Sequence, residues 1–91
     1  MSASATVEHG FTEVRIRCDS RPTAEALASA MLGALEAVAG DVQGARMAAR
    51  SLKSMGATVY IRKSGRVAYA AARDALAIAI DMDPSLPMVT L

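Results

Sequence analysis

Residues 58–82 read TVYIRKSGRVAYAAARDALAIAIDM, and the fold class turns on how this stretch divides. Its opening, Thr58 to Arg62, is β-branched and aromatic, the composition of a strand. Ser64-Gly65 is a turn signal. Beyond it the chain has two choices. A two-residue hairpin would set Tyr60 against Tyr69 and Ile61 against Ala68. A strand-to-helix turn would begin one helix over 66–82. Seven of those seventeen residues are alanine, which favours a helix and disfavours a strand. The helix is therefore preferred, with the alternation of Leu76, Ile78, Ile80 and Met82 as the strand alternative. On a helix Tyr69, Leu76 and Ile80 share one side while Ile78 points nearly opposite. Such two-sided apolar character predicts cover on both sides, and it assigns Ile78 and Met82 to an interface with a second subunit.

Working back toward the start, residues 41–55 read as a second, shorter helix. Asp41 is its cap, Ala45, Ala48, Leu52 and Met55 its apolar line, and Gly56 its end. Before it lies the clearest helical pattern. Asp19-Ser20-Arg21-Pro22-Thr23 carries helix-start chemistry, Ala24, Leu27, Met31, Ala34, Leu35 and Val38 recur at three- and four-residue steps, and Gly40 is the stop. Residues 11–18 alternate, with Phe11, Glu13, Arg15 and Arg17 on one side and Val14, Ile16 and Cys18 inward, as in a half-buried strand. Residues 1–10 lack periodicity and read as a flexible tail, leaving 11–91 as the domain. Pro84 and Pro87 end the last helix, and residues 88–91 supply a short edge strand. The expected architecture is α+β: a small two-layer sandwich in the order β-α-α-β-α-(β), with two to three strands packed against two to three helices. Helix-linked strands tend to be parallel, so the two main strands are expected to be adjacent or to share one sheet.

With 91 residues and 9.4 kDa there is room for one domain. Apolar residues make up 53% of the chain, yet 20 of them are alanine, and Leu, Ile, Val and Phe number only 19. A core this lean points to self-association as a homodimer. One cysteine makes no intrachain disulfide. The first ten residues hold no basic residue or apolar run, and the longest uncharged stretch, residues 26–35, is too short to span a bilayer. A soluble, cytoplasmic protein with no membrane association is expected.

Machinery for catalysis is sparse. His9 falls in the presumed tail, and Cys18 reads as a small buried hydrophobe. Asp81 and Asp83 lack the companions a metal needs and read as solvated charges. There is no phosphate loop, dinucleotide glycine pattern or zinc spacing, so no enzyme, metal or cofactor is expected.

Charge is distributed more tellingly than its net value of +1 implies. Seven of ten basic residues fall between Arg46 and Arg73, and no acid occurs over residues 42–73. On the expected second helix Arg46, Arg50 and Lys53 share one side. Arg62, Lys63 and Arg66 surround the glycine turn, where a phosphate can approach the backbone. Several spaced cations without intervening acid suit a phosphodiester backbone of DNA or RNA. Tyr60 and Tyr69 lie near the basic turn as candidate stacking surfaces. With no asparagine and one glutamine, contacts to backbone and shape are expected rather than base reading.

Two stretches carry a family resemblance. VRIRCDSRPTAEALASAML (residues 14–32) resembles the first strand and helix of the Alba superfamily, in its branch typified by stage V sporulation protein S. VYIRKSGRVAYAAARDALAIA (residues 59–79) is similar to that family's second strand, glycine turn and alanine-rich second helix. Residues 41–55 are an insertion relative to that pattern, and its C-terminal pair of long strands is reduced to residues 88–91. The resemblance implies a layered domain, dimerisation, and binding of DNA or RNA through basic loops and strands, with Gly65, Arg62, Lys63 and Arg66 at the matching loop. The leading expectation is thus a homodimeric nucleic-acid-binding module. Its rival is a protein-interaction module that joins a larger particle or docks on an acidic partner, for which six methionines offer adaptable contacts.

Overall fold

The structure, a computed structural model, describes residues 4–9, 13–63, 65–83 and 88–90. Phe11, Thr12, Ser64, Pro84, Pro87 and Leu91, which entered the expectations above, lie outside the described residues.

Eight elements follow one another: β1 (Ser4–His9), β2 (Val14–Cys18), α1 (Arg21–Ala37), α2 (Ala45–Ser51), β3 (Leu52–Met55), β4 (Thr58–Ile61), α3 (Arg66–Met82) and β5 (Met88–Thr90). The fold is α+β, a helical layer on one sheet, as expected. The sheet holds five strands in the order β3-β4-β2-β1-β5. It is larger than the expected two to three because two short strands carry little apolar patterning. β1 is one of them. Residues 4–9 are not a tail but a strand, antiparallel to β2 and parallel to β5, held by backbone ladders on both sides. β3 is the other. Residues 52–55 do not continue the second helix, because Leu52 leaves it in extended geometry (φ −76°, ψ 126°). A two-residue turn at Gly56-Ala57, with Gly56 at φ +59°, folds β3 back on β4, so Gly56 is a hairpin residue and not a helix end.

The extra strand also corrects the strand directions. β2 and β4 are neighbours but antiparallel. The parallel partner reached through α1 and α2 is β3, one place further out, and α3 likewise links β4 to the parallel β5. The expected rule holds for the strands the helices join directly.

α1 begins at Ser20, whose Oγ accepts the Thr23 N–H at 3.3 Å, with Pro22 in the first turn. The helix buries Ala24, Leu27, Met31, Ala34 and Leu35, the stripe its spacing predicts. α3 spans 66–82, so the strand-to-helix reading of the turn is the correct one. Its buried stripe is Ala68, Ala71, Ala72, Ala75, Leu76 and Ala79. Ile78 and Ile80 are both half-buried, on opposite borders of this stripe. Their divergence thus reflects a wide alanine-centred contact, with Met82 exposed at the end.

All three helices cover one face of the sheet. Val14 and Ile16 of β2 and Val59 and Ile61 of β4 are fully buried beneath them in a single cluster. Of 17 buried apolar residues among those described, nine are alanine, which makes the core as lean as the composition implies. Among the described residues, no helix is long and apolar enough to cross a membrane.

Candidate nucleic-acid interface

α2 is fixed at both ends against the link between β4 and α3. Its N-cap is Gly44, not the expected Asp41. Gly44 sits at φ +82°, and a Cβ there would overlap Val67 Cγ1 on α3, so only glycine allows the approach. At the other end the Ser51 carbonyl accepts the Arg62 N–H at 3.1 Å. α2 therefore runs alongside residues 62–67. Those two contacts bring the helix that carries the exposed Arg46 and Arg50 to the edge that carries the exposed Arg62, Lys63 and Arg66. Gly65, the N-cap of α3, offers no side chain to its first turn, which holds no acid. The positive end of that helix's dipole adds to the same edge.

Lys53 is placed differently from its expected position. It does not share a helix face with Arg46 and Arg50, since β3 begins at Leu52. It lies opposite Tyr60 on β4, and Tyr60 in turn lies opposite Arg15 on β2. Strand alternation puts Lys53, Met55, Thr58, Tyr60, Arg15 and Arg17 on the sheet face away from the helices. Met55, Lys53 and Arg17 are exposed there, and Tyr60, Thr58 and Arg15 are half-buried. Among the described residues, no ion pair within 4.0 Å joins Arg46, Arg50, Lys53, Arg62, Lys63 or Arg66 to a carboxylate. Acids are nonetheless near. Asp41 lines one open crevice with Arg46, and Asp74 lines another with Arg66.

The two tyrosines part company. Tyr69 packs against the core, with the Arg73 guanidinium 5.9 Å from its ring centre. Tyr60 lies on the open sheet face. Arg15 and Arg17 are additional basic residues near this surface that charge counting passed over. The alternation of residues 13–17 had already set them opposite the core, but only the pairing of β2 with β4 brings them beside Tyr60. Glu13 sits 4.0 Å from Arg15 and offsets part of that charge.

Cys18 is half-buried at the end of β2, its Sγ 3.9 Å from the Ile16 carbonyl. Burial, and to a lesser degree the Asp19 carboxylate, push its thiol pKa up, the reverse of what a nucleophile needs. Among the described residues, no three of His, Cys, Asp and Glu gather as a metal site. No family model, curated protein or solved structure matches this chain.

Proposed function

We propose that this protein binds nucleic acid by its phosphate backbone, through Arg46, Arg50, Arg62, Lys63 and Arg66 along one edge and Lys53 on the adjoining sheet face, and that it acts as a homodimer. The observation that carries this is the course of α2 along residues 62–67. It brings together two stretches far apart in sequence whose five cations are all exposed, none of them held in a carboxylate pair among the described residues, and this supports reading them as one basic edge. A phosphate track needs such spaced charges, and each contact releases counterions. The Alba-like strand, turn and helix at residues 59–79 point to the same ligand class by resemblance. Dimerisation rests on the lean core and on α3, where Ile78 is half-buried and Met82 is 73% exposed.

Salt dependence tests the proposal. If all six charges contact phosphate on duplex DNA, log affinity falls against log salt with a slope near ~−5. Replacing Arg62, Lys63 and Arg66 together by alanine lowers that slope by roughly half, and reversing their charge abolishes binding, with the mass in solution left at twice 9.4 kDa in both cases. A flat salt response, or no binding of DNA or RNA at low salt, overturns it. The competing protein-interaction reading draws on the exposed Met55, Val67 and Met82. In the form that joins a larger particle through these apolar groups, it predicts a multimer indifferent to polyanions, which the same measurements would expose.

A further inference from the structure

We infer that the face of the sheet opposite the helices binds single-stranded nucleic acid, with Tyr60 as the surface on which a base stacks; this deepens the reading above and rests on it. Tyr60 alternates with the fully buried Val59 and Ile61 and is not among the side chains packed on the core. Its cross-strand neighbour is the exposed Lys53, with side chains at this spacing about 5 Å apart. Two residues on, Arg62 continues the hairpin through its bond to Ser51, so this corner of the sheet joins the basic edge without a break. Met55, 61% exposed, adds apolar surface beside the ring. Glu13 lies at the Arg15 end, and Glu8 is the register partner of Arg15 on β1. Anionic backbone is therefore favoured on the Lys53 and Arg62 side of Tyr60.

The occupant follows from these features. An aromatic ring on a flat sheet, flanked by cations, matches an unpaired base with its phosphates to one side. In a duplex the base faces are stacked on each other and unavailable to Tyr60. A single strand presents them. The lone glutamine of the chain, Gln43, lies on the α1–α2 connection away from this face, so binding is expected to tolerate sequence.

The test compares an oligothymidine with a duplex of equal length at one low salt concentration. In a Tyr69→Phe variant Tyr60 is the sole tyrosine and there is no tryptophan, so its emission reports on this face alone. Saturating oligothymidine is expected to quench that emission. Tyr60→Ala should weaken oligothymidine binding about 5- to 100-fold, leave duplex binding within about twofold, and be rescued by Tyr60→Phe. Circular dichroism establishes that each variant is folded, and the quenching measurement needs no substitution at Tyr60. Duplex and oligothymidine bound alike, without quenching or without loss in Tyr60→Ala, overturns the sheet-face site while the basic edge stands. Failure to bind either overturns both.

Discussion

Gly44 and Cys18 show how much a single side chain decides here. A glycine inside a helix costs about 1 kcal/mol relative to alanine. In the fold Gly44 stands just outside the helix, in a left-handed conformation and against Val67, where any Cβ collides. Gly44→Ala should therefore destabilise by about 1–3 kcal/mol, measured by urea denaturation, and it should loosen the basic edge that α2 completes. Cys18 is a matter of ionisation. Its thiol pKa is raised in the fold, so the stability it carries is intact below the pKa of the unfolded thiol and is lost as pH rises through the folded one. Alkylation by iodoacetamide at pH 8 is expected to be slower than for a free cysteine in the native protein, and faster in Asp19→Asn. Cys18 was legible as a small buried group from strand alternation, whereas the role of Gly44 was not, because it depends on Val67, distant in sequence.

Among the elements, the long helices and the strands β2, β4 and β5 were legible, while β1 and β3 were not. α1 and α3 each carry enough turns for periodicity to show, and Ser20 marks the entry to α1. β3 has four residues, three of them exposed, and the sequence of β1 holds few large apolar groups, so neither carries an apolar pattern that marks it as a strand. That difference moved Lys53 from a helix to a sheet face and so divided the candidate site. The alanine stripe of α3 has an energetic consequence. Alanine lets α3 lie close to the layer beneath it, with no slack for a larger group. Ala75→Leu should cost about 1–3 kcal/mol by overpacking, whereas Ala77→Leu, on the exposed side, should change stability by less than about 0.5 kcal/mol. Equal effects in thermal melts would refute the close fit.

For the molecule as a whole, a two-layer fold has one interior, and among the described residues no helix packs on the far side of its sheet. The α+β class and the clustering of charge near the glycine turn were readable in the composition and in residues 46–66. The division of those charges between an edge and a sheet face was not, since it depends on strand order. β2 lies at the centre of that order, hydrogen-bonded to β4 on one side and to β1 on the other, with Val14 and Ile16 wholly shielded. Its amides are released to solvent only when the sheet itself comes apart. Deuterium uptake should accordingly be slowest at Ile16 and report global opening there, with the β3 hairpin exchanging earlier through partial excursions. The middle strand is then the last to let go, and the proposed binding surface sits on the margin that breathes first.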